Sequence, residues 1–132
     1  MEQSQELSAV ENDLTKALND KRAPWTEIEF RTADFWIFRD RYPVTEGHLL
    51  FVPTQERFDN IMACYKAAYK WGYDGIQTDR WDAFNVGQNV GEAAGQTVMY
   101  PHIHMIPRRK GDMADPRGGV RHVIPEKGNY KL

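Results

Sequence analysis

Two short apolar runs separated by a loop-forming segment constrain the fold of this chain more than any other feature. Residues 35–38 and 48–52 are each of strand length, and Pro53 closes the second run. The residues between them, 40–47, are typical of a loop. Two strand-length runs joined by a short loop predict an antiparallel pair of strands.

Two more strands are predicted further along the chain. Residues 83–87 and residues 99–106 have the composition of strands, and a glycine-containing connection joins them. After Pro107 the chain is interrupted by glycine and proline, so residues from about 108 to 132 are expected to form an irregular tail.

Two segments carry hydrophobic residues at helical spacing. The first predicts an amphipathic helix over about residues 5–21, which must end before Pro24, and the second predicts a helix from Phe58 that ends near Gly72 or Gly75. The apolar positions are Leu7, Val10, Leu14 and Leu18 in the first helix and Phe58, Ile61, Met62, Tyr65 and Tyr69 in the second. Helices and strands that neither alternate regularly nor segregate fully favour an α+β fold with an antiparallel sheet.

The length and the charge of the chain narrow its class. With 132 residues, the whole chain is expected to form a single domain. A formal net charge of −2 argues against a nucleic-acid or membrane binder. The charge is uneven, because residues 1–100 carry 10 basic and 16 acidic side chains whereas residues 101–132 carry 7 and 3. The positive end of the chain favours an anionic ligand.

The single cysteine excludes an internal disulfide and a cysteine-based zinc site. Cys64 lies at the helical spacing of Ile61 and Tyr65, which predicts a packing role rather than a nucleophile.

No signal peptide and no apolar run of ~18 residues is present, so a cytoplasmic protein is expected. His122 is expected to be a solvated or interface histidine. The tryptophans show no period and are assigned to the core or to an interface: Trp25, Trp36, Trp71 and Trp81.

The pair of histidines in residues 99–106 is the strongest chemical signal. His102 and His104 are two residues apart, so on a strand both imidazoles project from one face. Imidazole can act as a neutral nucleophile, as a general acid or base, or as a metal ligand near pH 7. The spacing alone leaves three interpretations open, namely two exposed histidines without a chemical role, a metal site and a catalytic pair. The preceding residues, Gly95, Gln96 and Thr97, supply donors suited to phosphate oxygens and favour phosphoryl chemistry.

Several separated motifs, in order along the chain, resemble the histidine-triad (HIT) family. They are Pro-Val-Thr-Glu-Gly-His-Leu-Leu-Phe-Val-Pro at residues 43–53, Gly-Gln-Thr-Val at residues 95–98 and His-Ile-His-Met-Ile-Pro-Arg at residues 102–108. The similarity spans about residues 30–130. Residues 84–89 and 115–121 resemble a bacterial-type branch that includes diadenosine tetraphosphate hydrolases.

The resemblance implies a homodimer that binds a nucleotide and transfers its nucleotidyl group through a covalent phosphohistidine. The nucleophile would be His102, and His104 would contact the phosphate oxygens. His48 matches a histidine that lies near the triad, and Gln96 matches a residue that bonds near the scissile bond. An unprotonated imidazole can attack phosphorus in line, so hydrolysis is divided into formation and breakdown of a nucleotidyl-imidazole.

The resemblance also implies a set of nucleotide-binding residues. Asp40 matches the position that bonds the ribose hydroxyls, and Asn89 matches an amide on the phosphate side. Thr97 matches a hydroxyl-bearing neighbour of the phosphate, and Phe38 is expected near the base, although a core position is the alternative. No metal is expected at the histidines. Mg²⁺ would accompany a polyphosphate substrate.

The chain departs from the family at the first histidine of the triad, where it has Tyr100 followed by Pro101. The main-chain carbonyl at this position can still bond the nucleophile, but a phenol with a reference pKa of about 10 does not readily carry charge at neutral pH. Three functions are therefore retained at this point. They are a hydrolase of a dinucleoside polyphosphate or an adenosine phosphoramidate, a nucleotide-binding protein with little turnover, and a metal-binding strand protein that uses His48, His102 and His104.

Overall fold

A computed structural model describes residues 11–129 of the chain. Within these residues, five strands form one antiparallel sheet, accompanied by three helices. The strands are β1 (Ile28–Arg31), β2 (Phe35–Arg39), β3 (Leu49–Pro53), β4 (Ala83–Gly87) and β5 (Ile103–Arg108). Their order in the sheet is β1-β2-β3-β5-β4. The helices are α1 (Asp13–Asn19), α2 (Phe58–Gln77) and α3 (Pro125–Gly128), with 3₁₀ segments at Glu92–Ala94 and Gly119–Val123. The predicted α+β class with an antiparallel sheet is confirmed.

The predicted antiparallel pair is present as β2 and β3. Their register is continuous from Phe35 opposite Pro53 to Arg39 opposite Leu49. The segment before β2 forms a separate edge strand, β1, because a turn at Thr32 reverses the chain. The Thr32 hydroxyl donates to the Phe35 carbonyl and accepts from the Phe35 amide, which stabilises this turn.

Each face of the sheet carries its own core, because side chains alternate along the strands. Helix α2 covers one face, where its buried residues Cys64 and Ala68 pack on β2, β3 and β5. Cys64 is fully buried in this cluster, which confirms its packing role, and its burial raises the pKa of the thiol to about 12. Helix α1 covers part of the opposite face. The buried residues there are Leu14, Ala17, Ala23, Trp36, Phe38, Leu50, Val52 and Tyr100.

Helix α1 is shorter in the described residues than the predicted span of 5–21. A capping box begins it, since the Asn12 side chain accepts from the Thr15 amide and the Thr15 hydroxyl accepts from the Asn12 amide. It ends at Asn19, and Lys21 has a φ of 60° in the reversal that follows. Residues 5–10 of the predicted helix lie outside the described part. The Leu14 amide donates to the carbonyl of Thr54, which attaches α1 to the end of β3.

Helix α2 ends at Gln77, two residues beyond the predicted end near Gly75, so that Gly72 and Gly75 both lie inside the helix. Both glycines face aromatic side chains that leave no room for a Cβ atom. A Cβ on Gly75 would lie 1.9 Å from the Trp81 ring, and one on Gly72 would lie 2.5 Å from Phe84. The Trp81 indole also donates to the Gly72 carbonyl at 2.8 Å. These glycines are points of close packing rather than helix ends.

The fourth predicted strand is displaced along the chain. It was expected over residues 99–106 but forms as Ile103–Arg108, because pairing with β4 extends to Ala83 opposite Arg108. The segment after β5, expected to be irregular, contains the second 3₁₀ segment and the short helix α3.

Within residues 11–129, no helix combines the length and apolar character needed to cross a lipid bilayer.

Replacing Gly75 with alanine should destabilise the protein, although alanine favours helices over glycine by about 1 kcal/mol. The added methyl group overlaps the Trp81 ring, so we expect a loss of about 1–3 kcal/mol in the free energy of unfolding. Chemical denaturation measures this loss. The control is Gly87→Ala, because a Cβ at Gly87 meets no atom within 4 Å. Equal effects of the two substitutions would contradict the packing interpretation.

Candidate active site

Three histidines meet on the face of the sheet that α1 also covers. His48 immediately precedes β3, His102 immediately precedes β5, and His104 lies within β5. The ring centroids of His102 and His104 are 5.3 Å apart, and those of His48 and His104 are 5.1 Å apart. His48 is buried, whereas His102 and His104 are half-buried. The structure thus brings together the three histidines that the sequence singled out.

The main chain determines which nitrogen of His102 is free. Nδ1 of His102 lies 2.8 Å from the carbonyl oxygen of Tyr100. Since a carbonyl oxygen can only accept, Nδ1 carries the proton of the neutral ring. The lone pair of Nε2 is therefore available to attack an electrophile.

A directed chain of hydrogen bonds determines the tautomers of the other two histidines. The main-chain N–H of Val44 donates to Nδ1 of His48 at 3.0 Å, so the proton of the His48 ring is on Nε2. His48 Nε2 lies 2.9 Å from His104 Nδ1 and donates to it. His104 consequently carries its own proton on Nε2, which leaves that nitrogen as a hydrogen-bond donor for a ligand.

Burial keeps the three imidazoles uncharged at neutral pH. It lowers the pKa of His48 and of His102 below the usual histidine value, against the opposing effect of the Asp40 carboxylate. The pKa of His104 falls to about 4, because of burial first and then the proximity of His102 and His48. A neutral His102 is the form that can act as a nucleophile.

Asp40 lies at the rim of the cluster. One carboxylate oxygen accepts from the main-chain N–H of Tyr42 at 2.8 Å, and the other lies 3.5 Å from His48 Nε2. Among residues 11–129, the ligand atoms of Asp40, His48 and His104 lie within 4.8 Å of one another, a grouping that could hold a metal ion. His102 is not part of that group, in contrast to the expected set of His48, His102 and His104. The role of Asp40 toward a ribose stays a prediction.

Tyr100 contributes its main chain to the site and its side chain to the core. The phenol is buried and donates to the carbonyl of Pro53 at 2.6 Å. Burial raises the pKa of the phenol further above its ordinary value. The tyrosine at the first triad position therefore retains the carbonyl that orients His102, while its hydroxyl points away from the histidines.

The loop before Tyr100 is closed by the Gln96 side chain. Its Oε1 atom accepts from the Gly91 amide at 2.7 Å, and its Nε2 atom donates to the carbonyls of Val98 and Met99. Thr97 and Asn89 are exposed in the same segment. The roles of Gln96, Thr97 and Asn89 toward a phosphate stay predictions, because the Gln96 bonds described here all stay within its own loop.

Two contributors to the site were not predicted from the sequence. The first is Trp25, which packs its ring against His102 with the centroids 4.9 Å apart. Phe38, which was expected near the base, lies behind Trp25 and is fully buried, so it takes the core position that was its alternative. The second is a main-chain group. The main-chain N–H of Val44 determines the His48 tautomer. An aperiodic tryptophan in a connection and a main-chain donor leave no recognisable signal in the sequence, so neither could be assigned to the site beforehand.

Comparisons with known proteins agree with this geometry. Residues 26–111 match the family model described as the HIT domain. An uncharacterized HIT-like protein of Methanocaldococcus jannaschii is 35% identical over 81 residues, which cover 57% of this chain and 63% of that protein. The adenosine 5'-monophosphoramidase HNT1 of Candida albicans is 30% identical over 89 residues, 59% of each chain. The chain thus spans less than two thirds of the length of either relative.

The fold has counterparts among solved structures. A zinc-bound histidine triad family protein from Mycobacterium smegmatis superimposes with a TM-score of 0.64 and 24% identity, over 77% of this chain and 78% of that one. At this identity the likeness concerns the fold.

The low pKa of His104 predicts that acid destabilises the protein before the carboxylates titrate. Between about pH 6.5 and pH 4 the unfolded chain binds a proton at this ring that the folded protein excludes, so stability falls as the pH falls through that window. We expect His104 to account for about 2 kcal/mol of this loss, after allowance for the partial exposure of the ring. Denaturation at a series of pH values should give a shallower decline for His104→Gln. The same dependence of stability on pH in the wild type and in His104→Gln would contradict the prediction.

Proposed function

The chain belongs to the HIT domain family, and from its histidine cluster we propose that it is a nucleotide hydrolase. It cleaves at the α-phosphate of a nucleotidyl phosphoanhydride or phosphoramidate, through a nucleotidyl-histidine at His102. The observation that carries the proposal is the hydrogen bond from His102 Nδ1 to the Tyr100 carbonyl, because it leaves Nε2 with a free lone pair beside a second imidazole that can donate.

The first half of the proposed reaction forms a covalent bond to the protein. His102 Nε2 attacks the α-phosphorus in line, and the bond from phosphorus to the leaving group breaks. The imidazole becomes cationic as the N–P bond forms, and the Tyr100 carbonyl stabilises its Nδ1–H. His104 Nε2 donates a hydrogen bond to the phosphoryl oxygens and keeps its proton, and the leaving group departs with a proton taken from solvent.

The second half returns the enzyme to its starting state. A water molecule attacks the same phosphorus and releases a proton to solvent, the N–P bond breaks with its electron pair returning to His102 Nε2, and a nucleoside monophosphate departs. The lone pair of His102 Nε2 is restored, with Nδ1 still protonated against the Tyr100 carbonyl. The chain needs no metal at His102 for either half, and a metal in the group of Asp40, His48 and His104 would occupy the His104 nitrogen that now accepts from His48.

The substrate class rests on the relatives as well as on charge. A relative with 30% identity is named as an adenosine 5'-monophosphoramidase, which favours an adenosine nucleotide with a nitrogen leaving group. The positive charge of residues 101–132 favours an anionic substrate and extends the choice to dinucleoside polyphosphates. Mg²⁺ would accompany the polyphosphate substrates.

A nucleotide-binding protein with little turnover is the second candidate. The observation that favours it is the position of the Tyr100 side chain. Its hydroxyl donates to the Pro53 carbonyl in the core, so the side chain supplies no group to the histidine cluster. Detection of the covalent intermediate separates the two candidates, since binding alone forms none.

Replacing His102 with alanine should abolish turnover and spare nucleotide binding. We expect the single-turnover rate on adenosine phosphoramidate to fall at least about a thousandfold, because no nucleophile remains. Affinity for the nucleoside monophosphate should stay within about threefold, since base, ribose and phosphate contacts supply it. The same assay on labelled substrate, quenched in alkali, should reveal protein-bound label in the wild type and none in the variant.

The matched control is His122→Ala, because that ring bonds the Arg117 carbonyl in the segment after β5, outside the cluster. Chelator-treated protein should retain its activity on the phosphoramidate. Near-normal hydrolysis by His102→Ala would overturn the nucleotidyl-histidine. Tight nucleotide binding by the wild type, with neither product nor adduct, would make the chain a binding protein.

The proposal includes a homodimer that pairs through β4 and α2. Strand β4 is an edge of the sheet, and beside it lies a surface concavity of about 800 Å³ with apolar walls. Tyr69 and Tyr73, 56% and 47% exposed, pack there on Phe84, and Val120 completes the wall. An unpaired strand edge next to exposed aromatic side chains is suited to a second copy of this chain.

Light scattering at micromolar concentration should give a mass of about 31 kDa, twice the 15.3 kDa of the chain. Tyr73→Glu should shift the protein to the monomer, because a charge in the apolar concavity opposes its burial. Tyr42→Glu is the control, since Tyr42 lies in the loop before β3 and is largely exposed. A monomeric wild type would contradict the dimer.

A further inference from the structure

We propose that Trp25 is a positioning residue for His102, and this inference rests on the proposed function. The indole holds the imidazole against the Tyr100 carbonyl and excludes water from that side of the ring. The Nε2 lone pair thereby stays free and directed toward the substrate.

The contacts of the two rings support this role. The centroids of Trp25 and His102 are 4.9 Å apart with an angle of 59° between the planes. Trp25 also packs on Phe38 at 5.8 Å and meets Tyr100 edge-on at 6.4 Å. The imidazole is thus held by the indole on one side, by the Tyr100 carbonyl at Nδ1 and by His104 at 5.3 Å. Rotation of the His102 ring would break these contacts together.

Trp25 is held at both ends of its connection. Before it, the amides of Arg22 and Ala23 both donate to the carbonyl of Ala17, and Ala23 is buried. After it, the carbonyl of Glu27 accepts from the amide of Arg39 on β2. The chain between these anchors has little freedom, so the indole occupies a defined place over His102.

Helix α1 supplies the first of these anchors. Its buried residues Leu14 and Ala17 pack in the same core cluster as Phe38 and Tyr100, and the Leu14 amide bonds Thr54. Both α1 and Trp25 precede residue 26, where the match to the family model begins. The helix and its connection are therefore outside the matched domain, and they place an aromatic ring on the proposed nucleophile.

The environment of His102 gives this role a measurable signature. Burial lowers its pKa, while the Tyr100 carbonyl and the Asp40 carboxylate act in the opposite direction. The neighbouring His104 and His48 are the other titratable groups of the cluster. Removing the indole admits water to His102, so its pKa should move up toward the value of a free imidazole.

The experiment compares Trp25→Leu and Trp25→Phe with the wild type in the full chain. Heteronuclear NMR titration of the His102 ring is carried out without ligand, and single-turnover rates on adenosine phosphoramidate are measured across pH. We expect Trp25→Leu to raise the His102 pKa by about half a unit or more. We also expect it to lower the single-turnover rate about tenfold at pH values above the acid limb of the pH–rate profile. Trp25→Phe should keep both the His102 pKa and the single-turnover rate close to those of the wild type, because an aromatic ring is retained. Leu18→Ala is the packing control, since Leu18 packs against the same core cluster without belonging to the ring contacts of His102.

Each outcome bears on the proposal. Equal His102 titrations and rates in the wild type and Trp25→Leu would overturn it. A raised KM with unchanged kcat and unchanged titration would also overturn it, and would make Trp25 a contact for the nucleotide. A rise of the His102 pKa and a loss of rate in Leu18→Ala that equal those of Trp25→Leu would reduce the effect to general packing and overturn it as well. If the wild type turns over no nucleotide, the proposed function fails, and the His102 titration without ligand still decides the role of Trp25.

Discussion

The hydrogen bond between His102 Nδ1 and the carbonyl oxygen of Tyr100 joins the chemistry of the site to the packing of the core. Tyr100 is held from its other end, where the phenol donates to Pro53 at the end of β3. The carbonyl that orients the nucleophile is therefore held in place by a buried side chain that never reaches the substrate. Residue 100 therefore contributes its main-chain carbonyl to the cluster while its side chain stays in the core.

The remaining histidines depend on the loop between β2 and β3. The Val44 amide directs the proton of His48 toward His104, and the Thr45 hydroxyl donates to the Pro107 carbonyl at 2.6 Å. The loop is thus attached to the far end of β5, the strand that carries His104. Because donors and acceptors alternate from Val44 through His48, the free nitrogen of His104 is a donor, whereas the Tyr100 carbonyl makes the free nitrogen of His102 an acceptor. Two adjacent imidazoles acquire complementary roles without any charged partner between them.

The β2–β3 pair and the shared face of His102 and His104 could be predicted from local sequence patterns, whereas β1 was not predicted and His48 was assigned to the cluster from the family resemblance. The apolar runs that form β2 and β3 alternate between two buried faces, and the spacing of His102 and His104 places them on one of these. The course of α2 past Gly75 could not be predicted, since the reason for that glycine is Trp81, six residues further on and folded back against the helix. Trp25 was missed for the same reason. Its importance arises from a tertiary contact, and a tryptophan at an aperiodic position is equally consistent with ordinary core packing.

The reliance on main-chain atoms has a consequence for how this site can change during evolution. The groups that determine the tautomers of His102 and His48 are the carbonyl of residue 100 and the amide of residue 44, and substitution of a side chain removes neither of them. Proline at position 44 is the exception, because it has no N–H. A substitution of the side chain at position 100 that preserves the backbone should therefore leave the proton positions of His102 and His48 unchanged.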